Sequence, residues 1–382
     1  MFDLEDRLSR QRDHDLYRMR RIAETASDVR MRIDGKDCLV FCSNDYLGLA
    51  AHPDVKKAFI SAADKCGVGS GAAHLVTGHH NIHHALEEEL AEFTGRDRAL
   101  LFSTGYMANL AAVTALTDRH DAVFGDKLNH ASLIDAAQLS EAKHIRYKHA
   151  DSSGLDSRLE ASSEKDKLVI TDGVFSMDGD IAPLPEIVAS CNKHNAWLMV
   201  DDAHGLGVLG HRGAGSIEHY SIENKDVPVL VGTLGKAFGT FGAFVAGSEA
   251  LIETLIQSAR SYIYTTALPA AVAEATRASL KIIQTDNERR QHLHSLIKRF
   301  REGAEQLGLP LMPSITAIQP IVIGEASRAV ALSDALLGKG ILVSAIRPPT
   351  VAEGSSRLRI TLSATHNEED IDQLLSALES QL

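Results

Sequence analysis

From about residue 98 to residue 247, short β-rich runs alternate with helical or loop segments, and this alternation constrains the fold of the 382-residue chain more than any other feature. The runs are ALLFS, HIRYKHA, KLVITDGV, WLMVDDA and PVLVGTLG. Apolar runs of this length, separated by longer connections, are how βα units build a largely parallel sheet with both faces covered. The pattern predicts an α/β protein whose large domain occupies residues 51–265. In such sheets ligands sit beyond the carboxyl ends of the strands, so the residues that close each run are the candidates for function.

The flanks read differently. Residues 3 to 26 place Leu4, Leu8, Leu16, Met19 and Ile22 among charges. That spacing predicts a mostly polar helix in an N-terminal helical arm, which with a short strand at Cys38–Phe41 fills residues 1–50. The turn-rich SNDYLGLAAHP follows, and Pro53 is placed to open a helix. After the alternating region come a long helical stretch from Pro269 to Leu307, AIQPIVIG, a helix ending near Gly340, ILVSAIRPPTV, RLRITLSA and a last amphipathic helix. This predicts a smaller C-terminal α+β domain over residues 266–382.

A net charge of −12 gives no general attraction to nucleic acid or anionic lipid, so an anionic ligand must meet a local cluster of positive groups. Nucleic acid and membrane are not expected partners. Cys38, Cys42, Cys66 and Cys191 show neither CxxC spacing nor a paired framework, which fits a reducing cytoplasm. The opening residues mix acidic and basic side chains where a signal peptide has an apolar core, and secretion is disfavoured.

Two neighbouring runs carry the strongest chemical signal. WLMVDDAHG closes on Asp201 and His204, and LVGTLGKAFG closes on Lys236, so a carboxylate, an imidazole and an amine are delivered to one face of one sheet. Pyridoxal 5′-phosphate (PLP) needs that set. A lysine supplies the Schiff-base nitrogen, and an aspartate keeps the pyridine nitrogen protonated so that the ring accepts electrons from a broken Cα bond. His204 is placed to bond the phenolic oxygen, and His130 in KLNHASL to stack on the ring and handle protons. For the phosphate, FSTGYMAN supplies a strand end followed by a helix start at Gly105 and Tyr106, with Ser176 and Thr233 adding hydroxyls at other strand ends.

Rival motifs are weaker. LVGTLGKA resembles a P-loop, but Leu230 stands where its first glycine belongs and Ala237 where its Ser/Thr belongs, which disfavours a nucleotide-dependent hydrolase. GVGSGAAH (67 to 74) lacks the preceding strand of a dinucleotide fold and reads as a glycine loop near the site. The histidines of HHNIHHALEEEL, His79, His80, His83 and His84, come without HExxH, and a helix start at the rim of the site is expected in preference to a metal site.

With these residues in place the chain resembles the α-oxoamine synthases, a family of fold-type I PLP-dependent transferases. The resemblance spans almost the whole chain and rests on SNDYLGL, ALEEELAEFTG, LNHASLIDAAQLS, GVFSMDGDIAPL, WLMVDDAHGLGVLG, TLGKAFG, AIRPPTV and RLRITLSA in that order. It implies Lys236 as the lysine bound to the cofactor, Asp201 as the pyridinium partner and His130 as the stacking residue. It also implies His204 and Ser176 at the phenolic oxygen, Gly105, Tyr106 and Thr233 at the phosphate, and Asn44 and Arg359 at the amino-acid carboxylate. A homodimer follows, with Thr266 reaching a neighbour's phosphate. The SMDGDIAPL and RPPTV segments, the latter carrying Thr350, point to L-alanine and a pimeloyl thioester as substrates, with Arg18, or else Arg20 or Arg21, meeting the acyl carboxylate. Glycine-using members such as 2-amino-3-ketobutyrate ligase share most of these positions.

Overall fold

The computed structural model describes residues 2–14 and 16–381 and divides the chain into two compact units. The larger holds residues 52–176 and 181–287; the smaller holds residues up to 51, 177–180 and 288 onward.

Seven strands form the sheet of the larger unit: β1 (Arg98–Phe102), β2 (Ala122–Asp126), β3 (Lys143–Tyr147), β4 (Lys167–Asp172), β5 (Trp197–Asp201), β6 (Val229–Thr233) and β7 (Ala243–Gly247). Their order is β1-β7-β6-β5-β4-β2-β3. Only β7 runs against its neighbours, β1 and β6. The other pairings are parallel.

Both faces of this sheet are covered. Along β4, Leu168 and Ile170 enter one apolar cluster and Val169 the other; along β5, Met199 points to the first and Leu198 and Val200 to the second. The period of two sends alternate side chains to opposite cores. Each fully buried aliphatic side chain contributes about 1.5–3 kcal/mol, which is why the runs read as continuously apolar. The mostly parallel α/β architecture expected from the sequence is present. The sequence does not single out β2 (AVFGD) and β7 (AFVAG), whose glycines and alanines weaken the local strand signal and which are completed by pairing within the sheet.

In the smaller unit, Ser356–Thr361 lies between Ile318–Gly324 and Ser344–Ile346 in an antiparallel sheet. A second small sheet pairs Lys36–Val40 with Arg30–Ile33 and, in parallel, with Ile341–Leu342. The pairing of the 36–40 strand with 341–342 is what joins the N-terminal segment to the C-terminal one, where the sequence suggested a separate arm. The expected strand at Cys38–Phe41 is Lys36–Val40, reached through a tight turn at Asp34 and Gly35 with φ of 49° and 74°. Both positive values suit an Asp-Gly hairpin turn. The N-terminal helix is shorter than expected: it covers Leu4–Asp13, buries no residue, and gives way to extended chain that bridges Ala23 to Ile33.

The long helical stretch is broken. Asp286, at φ −100° and ψ 76°, separates helix Ala270–Thr285 from helix Asn287–Gln306. The first packs on helix Pro53–Cys66 and belongs to the larger unit, so the boundary falls after residue 287, not 265. Residues 177–180 are held in the smaller unit by Ser314, whose hydroxyl donates to the Gly179 carbonyl at 2.8 Å, and by a buried Arg357–Asp178 ion pair.

Candidate active site

In the larger unit, the candidates gather where the strands end. Asp201 is the last residue of β5, and the peptide after β6 turns at Leu234 and Gly235 to present Lys236. Lys236 Nζ lies 2.9 Å from His204 Nε2. Asp201 is 4% exposed, and its carboxylate receives two N–H donors: Asn109 Nδ2 on Oδ2 at 2.6 Å and the Ala203 amide on Oδ1 at 3.1 Å. Two donors on different oxygens fix the rotation of the carboxyl group and aim its remaining lone pairs.

Asn109 ties this acid to the next element. It lies on helix Gly105–Leu116, fully buried, and its Nδ2 also donates to Ser132 Oγ at 2.8 Å. Ser132 Oγ in turn sits 2.7 Å from His130 Nδ1. His130 is the N-cap of helix Ala131–Leu139, and its own amide donates to Asp172 Oδ2 at 2.7 Å. The crowded surroundings lower the His130 pKa from its ordinary value; Asp201 opposes this and Lys236 reinforces it. Asp172 is raised well above the usual carboxylate range, first by burial and then by repulsion from Asp201. One network therefore fixes both the acid and the imidazole. The sequence alone does not single out Asn109, Ser132 and Asp172, although each lies inside a quoted motif, because only the fold shows that they converge on Asp201 and His130.

The loop after Asp201 is anchored by a second acid. Asp202 Oδ2 accepts the Ser216 amide at 2.6 Å, and burial lifts its pKa to about 7. A Cβ on Gly215, at φ 91°, would fall 2.0 Å from that oxygen, so only glycine closes the loop that carries His204.

The start of helix Gly105–Leu116 presents first-turn amides that could receive an anion. Thr104 caps it by accepting the Met107 amide, and the amides of Gly105 and Tyr106 have no acceptor within the helix. A Cβ on Gly105 would lie 2.7 Å from Thr233 Cγ2, so the absent side chain brings the helix start against β6. Tyr106 donates its hydroxyl to Asp135. The donor set fits PLP on the structure's own terms: unspent first-turn amides for a dianion, a buried carboxylate aimed by two donors for a ring nitrogen, and an amine beside an imidazole for an aldehyde. Ser176 follows β4 on the loop whose residues Val174 and Ile181 form a bridge. Thr266 is exposed and bridges Ala73 in its own chain.

The remaining candidates lie in the smaller unit, in two groups. Arg359, 6% exposed, donates from both Nη1 and Nη2 to Asn44 Oδ1 at 3.2 Å. Arg18, Arg20, Arg21 and Thr350 line one pocket of about 670 Å³. Arg21 faces Asp34 and Asp334 at 3.9 and 3.8 Å. Arg347, within the AIRPPTV motif, lines the same pocket and donates to the Tyr17 carbonyl at 2.7 Å.

Comparison with known proteins agrees with this chemistry. The family model for class I and II aminotransferases matches residues 36–378. The chain is 59% identical to an 8-amino-7-oxononanoate synthase from Thioalkalivibrio sulfidiphilus over 100% of its length and 98% of that protein's. Among solved structures, an S. paucimobilis serine palmitoyltransferase variant with a bound PLP–myriocin aldimine matches with a TM-score of 0.94 at 32% identity, covering 99% of this chain and 96% of that one. An 8-amino-7-oxononanoate synthase from Francisella tularensis matches with a TM-score of 0.79 at 36% identity, covering 90% and 97%.

Proposed function

We propose, for a chain that belongs to the class I and II aminotransferase family and to its 8-amino-7-oxononanoate synthases, that it joins L-alanine to a pimeloyl thioester with loss of carbon dioxide and free thiol. The product is 8-amino-7-oxononanoate, and the place of the reaction is biotin biosynthesis. The observation that carries the reading is the convergence of Lys236, His204, Asp201 and His130 at the strand ends, on a chain 59% identical to a synthase of that name across its full length.

When bound, PLP acts as an electron sink that stabilises negative charge at an amino acid's α-carbon. The chain's residues do the rest. With PLP bound, Lys236 Nζ would hold the cofactor through its aldehyde group and, as a free amine, would take the proton from the substrate α-carbon; His204 Nε2, at 2.9 Å, would orient that amine. Asp201 keeps a proton on the ring nitrogen, with Asn109 and the Ala203 amide aiming its oxygens. His130 covers the ring face, its rotation set by Ser132. Gly105 and Tyr106 amides and the Thr233 hydroxyl take the phosphate, and Ser176 joins His204 at the phenolic oxygen. Arg359, pre-aligned by Asn44, takes the alanine carboxylate as a two-point contact. Arg18, with Arg20 and Arg347 in the same pocket and Thr350 at its edge, meets the distal carboxylate of the acyl chain.

We assign the working form to a homodimer in the cytoplasm. Leu75, Val76 and Tyr264, large apolar side chains 51–74% exposed, flank the Ala73–Thr266 bridge and suit burial against a second copy, whose phosphate Thr266 reaches. All four cysteines are free, as a reducing compartment leaves them, and no helix among the described residues is long and apolar enough to cross a membrane.

The test offers alanine, glycine and serine against pimeloyl-CoA and acetyl-CoA. Turnover is expected for alanine with pimeloyl-CoA; preference for glycine with acetyl-CoA would overturn the substrate assignment.

A further inference from the structure

The histidines between residues 74 and 84 are packed together instead of dispersed along a helix start. The ring centroids of His74, His79 and His83 lie 5.2 to 5.8 Å apart. His83 is committed to the backbone: its Nδ1 accepts the His80 amide at 2.9 Å, and its Nε2 donates to the Leu268 carbonyl at 2.8 Å. His79 is not. Its Nδ1 meets His74 Nδ1 at 2.9 Å, which leaves Nε2 to face Glu87 Oε2 at 3.9 Å. Glu87 uses its other oxygen, Oε1, to accept the Leu101 amide at 2.9 Å. His84, one turn before Glu88 on helix Asn81–Thr94, brings a third donor, and one ligand atom each of His79, His84 and Glu87 lies within 4.8 Å of the others.

We propose that His79, His84 and Glu87 form a binding site for a divalent transition-metal ion of zinc's class, with His74 fixing the tautomer of His79. Two imidazoles and one carboxylate are a donor set that such ions favour; ligands bound at about 2.0–2.1 Å stand about 3.3 Å apart around a tetrahedral ion, so atoms now within 4.8 Å of one another would close by up to about 1.5 Å. His74 plays the part that outer partners play at metal sites, taking the second ring nitrogen of a ligating histidine. The competing contact is weak: His84 Nε2 to Glu88 Oε1 at 3.5 Å, with both side chains well exposed. An ion here would tie residues 74–79 to the helix, stiffening the glycine-rich segment whose Ala72 carbonyl accepts the Ala267 amide at 2.9 Å.

The experiment uses tag-free, chelator-treated holoenzyme titrated with Zn²⁺ by calorimetry and followed by thermal melting. The expected result is one equivalent per chain at micromolar affinity or better, with a raised melting temperature. Both effects weaken at least tenfold in H84N and in E87Q and persist in H120N, an exposed histidine outside the cluster. Circular dichroism and cofactor absorbance check folding, and H84N alone decides the matter if E87Q does not fold. Absence of saturable uptake, or uptake that H84N leaves unchanged, overturns the proposal.

Discussion

Replacing Asn109 by alanine isolates the step that the network serves. The side chain is fully buried and makes two hydrogen bonds, one to the Asp201 carboxylate at 2.6 Å and one to Ser132 Oγ at 2.8 Å. A bond to a charged group contributes about 1.5–3 kcal/mol and a neutral one about 0.5–1.5 kcal/mol. If the first is felt in the transition state, where ring protonation matters most, kcat falls by about 10- to 150-fold. Loss of the second lets Ser132 and His130 turn, which adds to the fall. The assay is steady-state turnover of alanine with pimeloyl-CoA at saturating PLP, with a thermal melt run alongside. KM for the thioester is expected within twofold of wild type, because no thioester candidate touches Asn109. A folded N109A enzyme whose kcat stays within twofold would refute the claim that Asn109 aims Asp201.

Arg359→Lys keeps the charge but loses the two-point fork that both terminal nitrogens now direct at Asn44. KM for alanine should rise about tenfold, about 1.4 kcal/mol, while KM for the thioester stays put; an unchanged KM for alanine counts against the carboxylate role. His366, which stacks on Phe41 and donates to the Val40 carbonyl, has its pKa pushed down to about 4, chiefly by burial. The unfolded chain takes up this proton near pH 6.5 and the folded chain only near 4, so the histidine's stabilising contribution is complete above 6.5 and is lost as pH falls between the two, by up to about 1.4 kcal/mol per pH unit. The stability gap between wild type and H366Q in urea melts should therefore narrow from pH 7 to pH 5, and an equal gap at both counts against the buried neutral form.

The sheet was legible because its strands are buried on both faces and carry apolar runs that local sequence alone displays. The residues that end those runs, Asp201, His204, Thr233 and Lys236, were legible for the same reason. What escaped notice depends on chain segments far apart in sequence. β7 is a strand because β1 and β6 flank it, and the 36–40 strand joins the smaller unit because residues 341–342 pair with it. Asn109 and Ser132 look like ordinary helix residues until the fold sets them beside Asp201 and His130. The break at Asp286 is a local event, yet no proline or glycine announces it. The Asp34-Gly35 turn, by contrast, is a hairpin signal present in the local sequence itself.

Attachment of the cofactor to the Lys236 amine is tested by reducing the holoenzyme with borohydride and mapping its peptides by mass spectrometry. The phosphopyridoxyl mass is expected on the peptide containing Lys236 and is expected to be absent in K236A. The same mass on a different lysine, with activity intact in K236A, would contradict it.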